Sequence, residues 1–270
     1  MNFVSGATVT DMDIRIDGND KTVTALHIGE GSDAQIVPVA EKDLVFFTNG
    51  SMTQNSTQGS MSEAPVMNRD TVHKGCFSLW EKLADKCPEY GHPEKFSFDP
   101  DKSNFVSCSV TVRDYPQFFG YLAEKTGNPT GKGGYSTFVD VPWFISYNVP
   151  LQPVAPDQPE NVQFMWFYGL HANNCGTYVK KPMTQCSGEE IMREFLYYCG
   201  LENKIDEIMP HITAIPVVMP YITSQFMPRK LKDRPEVIPN GNKNLAFIGQ
   251  FVELEGDVVF TVETSIRSAM

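Results

Sequence analysis

Residues 43–51 read DLVFFTNGS, a short apolar run that passes directly into a polar loop. A continuous apolar run of this length, here Leu44 to Phe47, is typical of a strand that is buried on both faces. The polar residues that follow it, Thr48 to Ser51, predict a tight loop at the carboxyl end of the strand. We therefore predict a parallel strand within an α/β layer.

A second run of the same kind lies near the end of the chain. NLAFIG, residues 244–249, is again apolar and closed by glycine, and an acidic loop follows it at Glu253 to Asp257. Between the two runs, aromatic and β-branched segments alternate with Gly or Pro turns, which indicates a mixed α+β region. The arrangement predicts one α/β domain interrupted by a second domain.

Local patterns predict further elements. Residues 7–28 alternate apolar and polar side chains around the turn Asp17 to Asp20, which predicts a β-hairpin. Apolar residues recur at helical spacing around Trp80 and around Phe119. The segments predicted as strands are Phe105–Val112, Tyr135–Tyr147 and Val162–Tyr168.

One helix has its start written in the sequence. Ser187 and Glu190 have the spacing of a capping box, in which the hydroxyl and the carboxylate satisfy free amides at a helix start. We expect the helix to run to about Cys199 and to end at Gly200.

Composition excludes several classes of function. The 270 residues carry a formal net charge of −11, which would repel a phosphate backbone, so nucleic acid is not an expected partner. The six cysteines form no CxxC pair, and no structural metal is expected. The first residues lack the pattern of a signal peptide and no stretch has the length of a membrane span, so a cytoplasmic protein with free thiols is expected.

Four strings resemble the oleate hydratase family, also called the myosin-cross-reactive antigen family. They are DLVFFTNGSMTQNSTQGS (43–60), GTYVKKPMTQCSGEEI (176–191), MPYITSQFMPR (219–229) and NLAFIGQFVELEGDVVFTVETSIRSA (244–269). The similarity runs over essentially the whole chain, and the last string is too specific for chance to explain.

The resemblance implies a fold and a reaction. The fold is an FAD-binding, doubly wound (Rossmann-like) α/β domain interrupted by an α+β substrate domain, here at 1–60, 61–215 and 216–270, with the middle range as the substrate domain. The reaction, that of a hydro-lyase, adds water to the cis double bond of an unsaturated fatty acid such as oleate or linoleate. FAD is implied as a mainly structural and electrostatic element. A homodimer and peripheral membrane association are implied for the complete enzyme.

The resemblance also implies that part of the enzyme is missing. The GxGxxG fingerprint has no match, because GKGG at 131–134 neither follows a clear strand nor opens a helix. In the family, the catalytic glutamate and tyrosine precede the counterpart of NFVSGATVTD, and members continue beyond the counterpart of Ala269. We therefore expect an internal fragment, from a truncated product, a misplaced start or a relic. It would have no catalytic residue of its own and no activity alone.

Cofactor contacts are implied at two strand ends. The loop after the first strand is where flavoproteins of this superfamily approach the dinucleotide, with a plain strand-ending turn as the alternative. At the second strand end and the helix start beyond it, backbone amides would meet the cofactor. The implied contacts are Thr48, Asn49, Gly50, Ser51, Gly249, Gln250, Phe251, Val258 and Thr261.

Substrate contacts are implied at two polar sets. Asn174 and Tyr178 lie near His171, for which an ordinary hydrogen-bonding role is the alternative. Thr223, Gln225 and Arg229 form the second set. The planar fork of Arg229 would pair with a carboxylate of the substrate or, alternatively, with one of the protein.

Three functions compete on this basis. The first is a fragment of an FAD-dependent fatty-acid hydratase. The second is a non-catalytic remnant that binds fatty acid or flavin and yields no hydroxy acid. The third is a flavin oxidoreductase of the same architecture, against which the string GQFVELEGDVVFTVE (249–263) argues.

Overall fold

The structure, a computed structural model, describes residues 2–70, 76–257 and 262–270. It is a mixed α/β protein that divides into two compact units. The first unit comprises Met1–Gln54, Asp70–Pro100 and Thr223–Met270, and the second comprises Asn55–Arg69 and Asp101–Ile222.

The elements follow one another along the chain as strands and short helices. The strands are β1 (Val9–Asp17), β2 (Asp20–Ile28), β3 (Gln35–Pro38), β4 (Val45–Thr48), β5 (Thr57–Gln58), β6 (Phe105–Arg113), β7 (Ser136–Phe138), β8 (Ile145–Asn148), β9 (Val162–Gly169), β10 (Ile212–Met219) and β11 (Leu245–Ile248). The helices are α1 (Cys76–Lys86), α2 (Glu94–Ser97), α3 (Pro100–Ser103), α4 (Gln117–Thr126), α5 (Gly188–Tyr198), α6 (Ile205–Ile208) and α7 (Val262–Arg267).

The predicted hairpin forms one sheet of the first unit. β1 and β2 pair antiparallel, and β3 adds to β2 as a third strand. Gly18 in the connecting turn has φ +59°, a conformation that glycine adopts without strain. Helix α1, also predicted, lies beside β1, where Lys86 Nζ donates to Asp11 Oδ1 at 2.6 Å. Hairpin and helix are both confirmed.

The two short apolar runs form a parallel pair of strands in the same unit. β4 and β11 pair in register from Val45 and Leu245 onward, as predicted. The prediction that the first run is buried on both faces is wrong. Phe47 is 7% exposed and its ring lies 5.7 Å from that of Phe247, whereas Phe46 is 62% exposed. Successive side chains of a strand point to opposite faces, and the described residues cover only the face of Phe47.

The sheet of the second unit has six strands in the order β5-β10-β6-β9-β8-β7. The predicted strands in β6 and β9 are confirmed, and the segment predicted as Tyr135–Tyr147 contains β7 and β8. One face of the sheet packs against α5, where the rings of Phe167 and Phe195 stack at 4.8 Å. This face carries the apolar core of the unit.

Strand β10 has no counterpart among the sequence predictions. It lies between β5 and β6 and contains Pro216, a residue that argues against a central strand because it has no N–H to donate. The Pro216 carbonyl accepts from Gly59 N at 2.9 Å, so the nitrogen of Pro216 faces the same side. Since β5 has only two residues, the missing donor costs the sheet little.

The predicted capping box is confirmed. Ser187 Oγ accepts from the Glu190 amide at 3.3 Å, and a Glu190 carboxylate oxygen accepts from the Ser187 amide at 3.0 Å. Helix α5 ends at Tyr198, and Gly200 follows with φ +70°. The local motif thus defines both ends of the helix.

Residues 70–100 lie in the first unit, whereas the sequence grouped them with the inserted domain. The physical reason is an aromatic cluster that joins distant parts of the chain. The ring of Phe251 lies 5.4 Å from Phe77, 5.8 Å from Trp80 and 5.5 Å from Phe96. No local pattern in the sequence indicates these contacts. Across the part of the chain that is described, no helix is both long and apolar enough to cross a bilayer.

Candidate functional site

The carboxyl ends of the parallel strands β4 and β11 meet at a cavity of about 350 Å³. Parallel strands end at the same edge of a sheet, and the loops that leave them surround a common space. The predicted contacts Thr48, Asn49, Gly50, Ser51, Gly249, Gln250 and Phe251 all line this cavity. The structure therefore brings these seven residues together.

Asn49 carries the clearest indication of a ligand. Its side chain is 0% exposed, and its Nδ2 donates to the carbonyl of Phe251 at 3.0 Å. Its Oδ1 is buried and has no hydrogen-bond partner among the described residues. Because an unpaired buried acceptor costs about 1–3 kcal/mol, a donor from a bound molecule would stabilise this arrangement.

Two glycines shape the walls of the cavity. Gly50 has φ +66°, and a Cβ there would lie 2.8 Å from the ring of Phe251. Gly249 has φ +108°, and a Cβ there would lie 3.0 Å from Cγ2 of Thr48. Both positions combine a conformation that disfavours side chains with a close contact. The cavity therefore depends on glycine at the end of each strand.

Three lining residues were not predicted from the sequence. Met52 and Thr53 continue the first loop, and Ser265 belongs to α7, which passes close to the end of β11. Ser268 Oγ accepts from the amide of Gly249 at 2.9 Å and so ties α7 to the strand end. A helix beyond a buried strand was expected here, but the sequence does not show which of its residues face the strand. Two predicted contacts, Val258 and Thr261, lie outside the described residues.

The predicted substrate contacts of the second unit are held by protein groups. Asn174 Nδ2 donates to the carbonyl of Pro142 at 3.0 Å, and its own carbonyl accepts from Trp143 Nε1 at 2.9 Å. The ring of Tyr178 is 45% exposed and lies 5.6 Å from the ring of Tyr197. The ring of Tyr178 is thus open to a ligand, whereas the side chain of Asn174 is already engaged.

Glu194 was missed by the sequence, although it organises the loop that carries Tyr178. Its side chain is 0% exposed, and its carboxylate accepts from the amides of Thr177, Tyr178 and Val179 at 2.5, 2.8 and 2.7 Å. Three N–H donors compensate the buried charge. Apart from its place in a predicted helix, nothing in the sequence indicates this role.

The other predicted substrate contacts lie in the first unit. Gln225 is 2% exposed, its Nε2 donates to Met52 Sδ, and its Oε1 has no partner within the described part of the chain. Arg229 forms an ion pair with Glu253 through contacts of 2.7 and 3.4 Å. Of the two alternatives for Arg229, pairing within the protein is the one seen. Thr223 stands at the start of the short turn that contains Gln225.

Burial affects the chemistry of the thiols. It raises the pKa of Cys108 and of Cys199, and it raises the pKa of Cys186 to about 12. A thiol is nucleophilic as its thiolate, so these three cysteines are poor nucleophiles at neutral pH. Within residues 2–70, 76–257 and 262–270, no group of three or more His, Cys, Asp or Glu side chains is placed to hold a metal ion.

Comparison with known proteins gives consistent matches. A sequence model described as the MCRA family matches residues 1–270. An "Oleate hydratase" of Streptococcus pyogenes serotype M49 (strain NZ131) is 40% identical over 272 residues, which cover 97% of this chain and 46% of that protein. A "Linoleate hydratase" of Lactiplantibacillus plantarum is 30% identical and is matched over 92% of this chain and 46% of its own length. The chain spans about half the length of these relatives.

Proposed function

Since the chain belongs to the MCRA family, we propose that it forms part of an FAD-dependent hydratase of unsaturated fatty acids. The family predicted from the four strings is confirmed, and both relatives carry hydratase names. The observation that carries the flavin part of the proposal is the cavity at the ends of β4 and β11 with its unpaired Asn49 Oδ1.

The residues at these strand ends suit part of a flavin dinucleotide. A cavity of about 350 Å³ lies at the lower end of the range for small-molecule sites, roughly 300–1,000 Å³. Asn49 Oδ1 would accept a hydrogen bond from the cofactor, and Gly50 and Gly249 would let the backbone approach it closely. We propose that this edge of a doubly wound domain contributes one portion of the FAD site.

The reaction assigns different roles to cofactor and protein. Water addition to an alkene involves no net redox change, so bound flavin would supply structure and electrostatics. Within the chain, Tyr178 would offer an exposed phenol to the fatty acid, and Gln225 Oε1 a buried acceptor. We propose that Asn174, Thr223 and Arg229 shape these segments. We assign no catalytic acid or base to this chain.

Further parts of the proposal rest on the family resemblance. We propose oleate and linoleate as substrates of the complete enzyme, a homodimer as its assembly, and the cytoplasm as its location, with peripheral membrane association. The ranges 1–60 and 216–270 would contribute to flavin binding, together with Val258 and Thr261, and 61–215 to substrate binding. The relatives' names extend to the fatty acid alone.

Flavin binding can be tested on the chain directly. We expect saturable FAD binding, measured by quenching of flavin fluorescence, and at least about tenfold weaker binding for Asn49→Ala because it removes the buried acceptor. Asn19→Ala, at an exposed position, is the matched control. Wild-type chain that folds cooperatively and shows no FAD binding would contradict the proposed flavin site.

Hydration needs a second assay. We expect the chain, combined with FAD and the part of the Streptococcus relative that it does not match, to convert oleate to a product heavier by one water, detected by mass spectrometry. Bound oleate without product would favour the non-catalytic binding module. Flavin reduction by an amine or sterol would favour the oxidoreductase.

A further inference from the structure

A buried arginine of the first unit has incomplete hydrogen bonding. Arg234 is 2% exposed, its Nη2 donates to the carbonyl of Gln225 at 2.9 Å, and its guanidinium lies 5.8 Å from the centre of the Phe96 ring. Its Nε is buried and finds no acceptor among the described residues. A buried charged donor left without an acceptor is costly and therefore indicates a partner.

The charge of Arg234 is also only partly balanced. The acid that acts on it most directly, Glu253, is already paired with Arg229 at 2.7 Å. Burial, then the neighbouring Arg229, lowers the pKa of Arg234 to about 10, so the guanidinium stays protonated at neutral pH. Two buried or half-buried arginines thus share one carboxylate, which leaves one positive charge in excess.

Arg234 borders a cavity of about 490 Å³ that is separate from the one at the strand ends. Lys232 adds a second positive charge to its wall, and Pro88, Leu231 and Pro239 add apolar surface. The acidic groups of the wall do not cancel this charge. Glu89 pairs with Lys21 at 3.3 Å, Glu253 pairs with Arg229, and Glu236 is exposed, where water screens it.

We propose that this cavity binds a small carboxylic acid with a short apolar tail. The carboxylate would accept from Arg234 Nε, with Lys232 beside it, because a guanidinium edge matches the planar geometry of a carboxylate. The tail would lie on Leu231 and the two prolines. The site depends neither on flavin nor on hydratase activity.

Isothermal titration of the whole chain with hexanoate tests the site. We expect saturable binding of hexanoate and at least about tenfold weaker binding of hexanamide, which has the same shape without the charge. Acetate, which lacks the tail, should also bind more weakly. Equal affinity for hexanoate and hexanamide, or binding of inorganic phosphate in preference to hexanoate, would overturn the assignment.

Variants locate the binding. Arg234→Met should reduce hexanoate affinity at least about tenfold, whereas Arg15→Met removes the same charge from an exposed position of β1 and should change nothing. Leu231→Ser keeps the guanidinium and changes a side chain that is 76% exposed, so it remains informative if Arg234→Met does not fold. It should weaken hexanoate but not acetate. Unchanged hexanoate binding in Leu231→Ser would place the ligand elsewhere.

Discussion

Single polar residues hold the loops of this protein in place. Glu194 is the clearest case, because its carboxylate is 0% exposed and is surrounded by the amides of Thr177 to Val179. A carboxylate accepts hydrogen bonds only, which suits a position where three donors converge. The loop that carries the proposed substrate contact Tyr178 thus depends on a residue of a neighbouring helix.

Replacing Glu194 by Gln tests this dependence. The amide group turns an N–H₂ toward backbone N–H donors, so we expect a loss of about 2 kcal/mol in the free energy of unfolding. The amides of residues 177–179 should also exchange hydrogen faster. Urea unfolding and hydrogen exchange measure both effects. Glu189→Gln, at an exposed position of the same helix, should be close to neutral, and equal losses in both variants would contradict the assignment.

Gly50 allows a test of the cavity wall with an internal control. Gly50 and Gly18 have similar backbone conformations, φ +66° and +59°, but a Cβ at Gly50 would lie 2.8 Å from the ring of Phe251 and one at Gly18 would meet nothing. Gly18→Ala should therefore cost about 1 kcal/mol from conformation alone. Gly50→Ala should cost more and also weaken FAD binding. Equal losses in thermal unfolding would show that the ring yields freely.

Residues with local partners were predictable, and residues with distant partners were not. Ser187 and Glu190 act on each other three positions apart, and the sequence shows the pair directly. Glu194 acts on amides 15 to 17 positions earlier, and Arg234 faces a cavity formed by separate segments. Such roles arise from tertiary contacts, which a local pattern does not encode.

At the scale of elements, the start of α5 combines a cap with an ion pair. Besides its part in the capping box, Glu190 receives hydrogen bonds of 2.7 and 2.8 Å from Lys181 Nζ. Burial works to raise the pKa of Glu190, but the bonds from Lys181 and from the Ser187 amide outweigh it, and the pKa lies below its ordinary value of 4.5. The folded state therefore favours the charged form.

This shift predicts a pH dependence of stability. A depressed pKa contributes stability that is present above pH 4.5 and is lost as the pH falls through the lower, folded-state value. We expect Glu190→Gln to cost about 1 kcal/mol at pH 7 and progressively less below pH 4.5. Urea unfolding from pH 7 to pH 3 measures the difference. A constant difference over that range would show that the charge of Glu190 contributes nothing.

A side chain links the hairpin to the parallel strands. Asn244 is 5% exposed, its Oδ1 accepts from Val23 N at 2.8 Å and its Nδ2 donates to Val23 O at 2.9 Å, as a neighbouring strand would. Asn244→Ala leaves both backbone groups unpaired and should cost about 2–3 kcal/mol in thermal unfolding. Asn19→Ala, at an exposed turn position, should cost far less.

The elements that were predicted correctly are those whose own residues determine them. The β1–β2 hairpin has its turn sequence, α5 its cap, and β4 its apolar run. Strand β10 was missed because Pro216 argues against a strand, and only the shortness of β5 beside it makes the proline acceptable. The location of the cavity followed from the expectation that both apolar runs are parallel strands.

At the scale of the whole molecule, the parallel strands leave apolar surface uncovered. Leu44 is 66% exposed and Phe46 is 62% exposed, although strands of parallel sheets are usually covered on both faces. Two neighbouring large apolar side chains in water favour association, since burying each contributes about 1.5–3 kcal/mol. We therefore expect the isolated chain to self-associate through this face.

The double variant Leu44→Ser/Phe46→Ser measures how far this face drives association. Sedimentation velocity should show concentration-dependent association of the wild-type chain, and the dissociation constant should rise at least about tenfold in the variant. Leu151→Ser removes an equally exposed apolar side chain, 72% exposed, from the second unit and should leave association unchanged. If the wild-type chain stays monomeric, or if both variants weaken association equally, the uncovered face of β4 is not the cause. Association specific to Leu44 and Phe46 would mean that the parallel pair requires a second layer, because the face opposite Phe47 otherwise remains in water.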